Sequence, residues 1–316
     1  MNPRKESPFT EDSTAAEVIA GVDLSGRRAL VTGGSSGIGT ETAWALASAG
    51  AEVTITGRTQ PAVAAALAAI RSRPGGDRVS GALLDLGADA SVDELVRTWD
   101  GPLHILVNNA GVMGLPDRTL AANGYELQFA VNHLGHFRLT SGLYPALRAA
   151  GGARVVSLSS RGHLRSPVMF DDVNFERRAY EPTMAYGQAK TANVLLAVGI
   201  AMNWAGDGIT ANAVHPGTVD STNLARYMDP ELVARIKSAP FFRHRTIAQG
   251  AATSVLVAAS SVVDGVSGRY FEDCHESEVV RPELGGGTLG AGVAEYAVDE
   301  DNAKRLWDLS EDTLSA

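Results

Sequence analysis

The chain has 316 residues, 45% of them hydrophobic and only 6% aromatic, which supplies the Ala-, Val- and Leu-rich material of helices packed on a parallel sheet. A formal charge of −9, with no basic run, argues against nucleic acid and anionic membrane surfaces as partners. A single cysteine, Cys274, excludes an intrachain disulfide, no Cys/His cluster has metal spacing, and no long apolar run marks a membrane span, so a metal-free cytoplasmic protein is expected.

Residues 1–22 are polar and mixed, with a short helical stretch at Ser13–Ile19, and read as an arm on the outside of one domain spanning 23–316. From Arg28 short β runs alternate with Ala-rich helical windows. Ala29–Thr32 is a strand, Ile38–Ala49 a helix, Glu52–Thr56 a strand, Ala62–Arg73 a helix, Val79–Leu84 a strand and Val92–Trp99 a helix. His104–Asn108 follows as a strand, Gly124–Ala150 as one long or two short helices, Ala153–Ser157 as a strand and Ala185–Ala205 as a long helix. Thr210–His215, Thr246–Ala259 and Gly268–Phe271 close the series as strand, helix and strand. Strict alternation predicts an α/β fold, a doubly wound parallel sheet of about seven strands with helices on both faces and ligands beyond the strands' C-terminal ends. Three segments break the rhythm: 161–183, 218–245 and the tail from Glu272. Loops this long carry function or lack order, and the first two are the expected substrate loops.

Between the first strand and helix lies Thr32-Gly-Gly-Ser-Ser-Gly-Ile-Gly39. Gly33, Gly37 and Gly39 permit a tight turn and close backbone approach to a pyrophosphate, and the helix start at Ile38 offers free N–H groups and its positive dipole end. Ser35 and Ser36 add hydroxyl donors. An ordinary glycine turn is the plain alternative.

The second strand ends in Gly57, where an NAD site would place an acidic residue on the ribose, and Arg58-Thr59 follow. A guanidinium pairs with a 2′-phosphate and no carboxylate is present to repel it, so NADP(H) is expected over NAD(H). A solvated arginine is the bland reading. Asp85-Leu86 ends the third strand within reach of an adenine edge. Asn108-Asn109-Ala110-Gly111 ends the fourth, its small residues letting backbone pass the cofactor and its Asn pair tying neighbouring strands together.

Tyr186 and Lys190 stand four apart near a helix start, on one face. A phenol of pKa about 10 is a poor acid/base at neutral pH, and a nearby ammonium lowers it. Ser159 and Ser160 end the preceding strand, where a hydroxyl orients a carbonyl and stabilises its developing charge. Asn132 sits inside a predicted helix, where Asn has mediocre propensity, and is either a proton-relay member or a packed structural residue. His133, His136 and His163 are read as structural, lacking partners at metal spacing.

Taken together, the sequence resembles the short-chain dehydrogenase/reductases, and within them the retinol-dehydrogenase-like branch with its bacterial and chloroplast members. The motifs occur in order from about Asp23: the Gly33–Gly39 turn, Asn108–Gly111, the Asn132 segment, the Ser160 segment, Tyr186 with Lys190, and Pro216-Gly217. The resemblance implies a Rossmann-type fold and a catalytic tetrad of Asn132, Ser160, Tyr186 and Lys190, with Ser160 preferred over Ser159. It further implies that Pro216-Gly217-Thr218 lies beside the nicotinamide carboxamide and that Lys190 holds the nicotinamide ribose. The spacing of 26 positions from Ser160 to Tyr186 matches the retinol-like branch. The threonine expected after Pro216-Gly217 sits one residue late, at Thr222, leaving that contact open. Dimers and tetramers both occur among relatives.

The expected activity is hydride transfer between NADP(H) and the carbonyl/alcohol pair of a moderately hydrophobic small molecule, under an apolar lid from Leu164–Phe170 and Ala239-Pro-Phe-Phe242. Aromatic packing of ordinary loops is the alternative for that lid. A sugar-nucleotide epimerase or dehydratase would show the other glycine spacing and a larger C-terminal domain. A catalytically silent NADP(H)-binding sensor or interaction protein on the same fold would have lost part of the tetrad, which is complete here.

Overall fold

Branched apolar residues buried on both faces turn the short runs into strands of a parallel sheet. The computed structural model describes residues 4–219, 222–228, 230, 231, 233, 243–283 and 290–315. In chain order the first six strands are β1 (Arg28–Val31), β2 (Glu52–Gly57), β3 (Val79–Leu83), β4 (Ile105–Asn108), β5 (Ala153–Leu158) and β6 (Ile209–His215). A two-residue pairing of β7 (Thr218–Val219) with β8 (His244–Arg245) precedes β9 (Tyr270–Glu272) and β10 (His275–Glu276). The main sheet has the order β10-β9-β6-β5-β4-β1-β2-β3, parallel from β9 to β3.

The doubly wound sheet is thus as expected, with eight strands among the described residues instead of about seven. The extra strand, β10, runs antiparallel to β9. Asp273 and Cys274 turn the chain back, both at positive φ (55° and 64°), as a two-residue hairpin of type I′ requires.

The helices are α1 (Ala15–Ile19), α2 (Gly37–Ser48), α3 (Gln60–Arg71), α4 (Asp89–Thr98) and α5 (Leu127–Phe129). They continue with α6 (Gly135–Gly142), α7 (Tyr144–Ala149), α8 (Pro182–Trp204), α9 (Ile247–Ala259) and α10 (Glu300–Ser315). On one face Ala15, Ala43, Ala66 and Val255 from α1, α2, α3 and α9 bury Val31 and Ile55. On the other, Leu95, Leu139, Leu147 and Val194 from α4, α6, α7 and α8 bury Leu30, Leu106 and Val155. The alternation Leu30/Val31 shows both faces of one strand in use.

Three findings modify the expectations. The N-terminal arm packs deeper than on the outside: a capping box of Thr14 and Glu17 starts α1, which sinks Ala15, Val18 and Ile19 into the core. Residues preceding it run along β10, where Glu276 N donates to Lys5 O and Ser7 Oγ to Cys274 O. The tail from Glu272 is also ordered where described. It pairs β11 (Val279–Val280) with β12 (Val293–Ala294) and lays α10 over α8, Trp307 passing where only a glycine, Gly199, leaves room.

The third concerns the expected lid. Leu164 and Val168 are buried, and Phe170 packs under Arg305, so this stretch turns into the core and only Met169 faces out. The packing alternative holds for Leu164–Phe170, and Ala239–Phe242 lies outside the described residues.

The strand order reverses between β1 and β4, opening a crevice at their C-terminal ends. Side chains fasten it. Thr32 Oγ1 accepts from the N–H groups of Asn109 and Ala110 (2.9 and 3.0 Å), and Asn109 Nδ2 donates to Thr32 O (2.7 Å). Asn108 ties the sheet to α6 instead, through Thr140 Oγ1.

Candidate active site

A cavity of about 770 Å³ follows this crevice along the ends of the parallel strands. Gly33, Ser35, Ser36, Gly37, Ile38 and Gly39 all line it. Gly33 and Gly37 take positive φ (64° and 56°), and a Cβ on Gly33 would stand 2.9 Å from Ala110 Cα. Only glycine allows this turn. Ser36 caps α2 without a side-chain hydrogen bond, so the first N–H groups of that helix remain available to an anion. These features fit a dinucleotide pyrophosphate.

The next strand ends continue the wall. Arg58 and Thr59 follow β2, Asp85 and Leu86 follow β3, and Asn109, Ala110 and Gly111 follow β4. Arg58 is exposed and reaches Tyr227, whose phenol is held below its ordinary value by hydrogen bonds from Arg226 and then Arg58. Pro216 and Gly217 line the far end. Thr218 does not: it is drawn into β7 against His244, and Thr222 lines the cavity in its place, over Gly37.

Tyr186 and Lys190 sit in the N-terminal half of α8, a helix started by Glu181, whose carboxylate accepts from the Thr183 and Met184 N–H groups. Both are almost fully buried (5% and 3% exposed) and border the cavity. Tyr186 packs on Gly162, where a Cβ would stand 3.0 Å from the ring. Burial pushes the Tyr186 phenol up to about 12, opposed by a hydrogen bond with Ser160. Burial likewise pushes the Lys190 ammonium down to about 7, its Nζ donating to Leu158 O at 2.9 Å. Desolvation therefore outweighs the expected lowering of Tyr186 by Lys190, whose Nζ lies 5.6 Å from the ring centroid.

The two serines divide clearly. Ser159 Oγ is committed to Lys190 O at 2.7 Å, whereas Ser160 accepts from Gly162 N and faces Tyr186. Asn132 lies in a π turn, Ala130–Leu134, between α5 and α6, a departure often found at functional sites. Its amide accepts from Val112 N (2.8 Å) and donates to Val112 O (2.9 Å), and it stands behind Gly111 instead of lining the cavity. The histidines read as structural bond within the fold: His136 joins Thr32 Oγ1 to Asn132 O, His163 takes Ser160 O and Ala294 N, and His133 meets Ser310 through Nε2 while its Nδ1 has no partner among the described residues. No metal-binding cluster occurs among the described residues.

A glycine-lined crevice leading to a Ser–Tyr–Lys cluster is the setting in which likeness to known proteins gains meaning. Residues 27–232 match the short chain dehydrogenase family. This chain belongs to that family. The short-chain dehydrogenase is 51% identical to a "Probable oxidoreductase" of Streptomyces lividans, over 93% of this chain and all of the relative. It is 37% identical to mouse "Retinol dehydrogenase 14" over 91% of this chain and 86% of that one, in keeping with the retinol-dehydrogenase-like resemblance. Among solved structures, an uncharacterised protein from Mycobacterium paratuberculosis superposes with a TM-score of 0.73 at 30% identity, covering 94% and 97% of the two chains.

In this short-chain dehydrogenase some cavity residues were not foreseen. Val131 and Val112 flank Asn132 in sequence or space, and Leu115, Leu224 and Tyr227 come from loops. Of these, Val131 left a signal in the sequence, standing beside a motif residue. His215 also borders the cavity, and its place directly before Pro216 was the overlooked clue. None of residues 161–183 lines it.

Proposed function

We propose that this short-chain dehydrogenase is an NADP(H)-dependent cytoplasmic enzyme that interconverts a carbonyl and an alcohol on a moderately hydrophobic small molecule. The observation that carries the proposal is the convergence of Ser160, Tyr186 and Lys190 at one end of a cavity whose other end holds the glycine turn and Arg58. A nicotinamide dinucleotide held along that cavity supplies or accepts the hydride.

The chain's own groups then divide the work. The α2 N–H groups and Ser35 and Ser36 hold the pyrophosphate, and Arg58 pairs with a 2′-phosphate where no carboxylate competes. Ser160 orients the carbonyl oxygen. Tyr186, which keeps its proton at neutral pH, donates it to that oxygen in reduction and takes it back in oxidation. In its protonated form Lys190 favours the phenolate that Tyr186 becomes, and it holds the nicotinamide ribose. Asn132 acts by position: clamped on Val112, it fixes the β4 loop and Gly111 against Lys190, and any proton relay passes beside its amide. Val112, Leu115 and Leu224 supply the apolar wall for the substrate.

The test is titration of purified protein with NADPH and NADH, followed by a panel of ketones and aldehydes. Tighter NADPH binding with substrate-dependent loss of its absorbance is expected. Binding without turnover of any carbonyl would favour the sensor reading, and binding of neither nucleotide would overturn the proposal.

A further inference from the structure

At the reacting end of the cavity one polar residue has no task in this scheme. The sheet register sets His215 beside Glu272 at the ends of β6 and β9, and Ser159, directly after β5, donates its N–H to Val214 O, next to His215. Laterally paired residues share a face, and Ser159 bonds to α8, so the row lies on the face that α8 and Tyr186 cover.

Its outer members are engaged. Ser159 Oγ serves Lys190 O. Glu272 Oε1 accepts from Gly292 N at 2.6 Å, and Oε2, without a hydrogen bond among the described residues, stands 3.7 Å from the Arg161 guanidinium. His215, between them, is 4% exposed, and neither ring nitrogen has a partner among the described residues. Tyr270, two residues before Glu272 on the same face, is 2% exposed with its hydroxyl equally unpartnered. Next to it His163, with ring centroids 5.0 Å apart, is fully bonded elsewhere. Buried polar atoms left without partners cost stability, and here they gather beside the reacting groups.

The chemistry narrows what they await. Desolvation holds His215 well below its ordinary value, with Arg161, His163 and Arg245 acting the same way. The ring is therefore neutral, offering one donor and one acceptor. Arg161 and Glu272 already balance each other, so a charged group would be buried without compensation.

We infer that His215, with Tyr270 behind it, forms a subsite for a neutral hydrogen-bonding substituent of the substrate, a hydroxyl or second carbonyl near the reacting carbon. The preferred substrates are then hydroxy ketones and diols in place of simple ketones and alcohols. This deepens the carbonyl/alcohol reading and rests on it.

Acetoin and butanone, which differ by that hydroxyl, test it. Imidazole nitrogens of isotope-labelled protein with NADP⁺ present are followed by NMR, His215 being assigned by its loss in His215→Leu. Acetoin should shift the His215 signal, and butanone at equal concentration should not. Kinetically, the ratio of kcat/KM for acetoin over butanone should fall at least about tenfold in His215→Leu, with partial rescue by His215→Gln. Comparing the ratio across variants cancels the intrinsic reactivities of the two ketones. A signal that ignores acetoin, or answers both compounds alike, overturns the subsite whether or not either is turned over. A lowered Tm with an unchanged ratio would make His215 structural. A His215 response without reduction of any carbonyl would overturn the reductase reading while leaving the subsite standing.

Discussion

Replacing Lys190 by methionine should stabilise this protein while silencing it. Lys190 is 3% exposed, and burial alone moves its ammonium from 10.5 to about 7. The sign follows from which state holds the proton. Between about pH 7 and 10.5 the unfolded chain keeps a proton that the folded chain has released, so stability rises with pH through that window and the penalty is complete below it. At roughly 1.4 kcal/mol per pH unit, the displacement corresponds to about 5 kcal/mol near pH 6 and under about 2 kcal/mol near pH 9.5. Methionine forfeits one hydrogen bond, about 1 kcal/mol, and Leu158 O keeps its second donor, Asn193 Nδ2 at 2.8 Å. The variant should therefore gain about 3–4 kcal/mol near pH 6 and almost nothing near pH 9.5. Urea denaturation of both proteins at a series of pH values measures this directly. A stability difference that stays constant with pH, or a methionine variant less stable near pH 6, would refute the argument from burial.

Three further outcomes follow from the site. Tyr186→Phe should cost at least about a hundredfold in kcat, read by steady-state kinetics, and near-normal turnover would remove Tyr186 from its role. Arg58→Ala should weaken NADPH binding by about tenfold to a hundredfold with little change for NADH, and equal losses in the two titrations would count against a 2′-phosphate contact. Gly162→Ala puts a methyl 3.0 Å from the Tyr186 ring and should lower kcat about tenfold or more by displacing it, with little change in Tm. An unaltered kcat would mean that the 160–162 turn does not hold the tyrosine.

The parts of this architecture set by local chemistry were legible in the sequence. Glycines demanded by a tight turn, a Tyr–Lys pair at helical spacing and β/α alternation all act over a few residues, and the structure places them along one cavity. What escaped depends on contacts between distant segments. Asn132 is defined by Val112, twenty residues away, and Leu164–Phe170 by the C-terminal α10 through Arg305. Thr218 pairs with His244 while Thr222 lines the cavity, an arrangement that depends on the distant β8. The Tyr–Lys spacing announced proximity but not burial, and burial decides both proton affinities.

The segment along β10 carries a consequence for assembly. The outward backbone donor of that terminal strand, Glu276 N, is already taken by Lys5 O, and Lys5 N returns to the Glu276 carboxylate. A second copy approaching this margin finds the hydrogen-bonding template occupied, so a continuous sheet through two subunits is closed off on that side. Displacing residues 4–7 would re-expose a strand margin made for pairing.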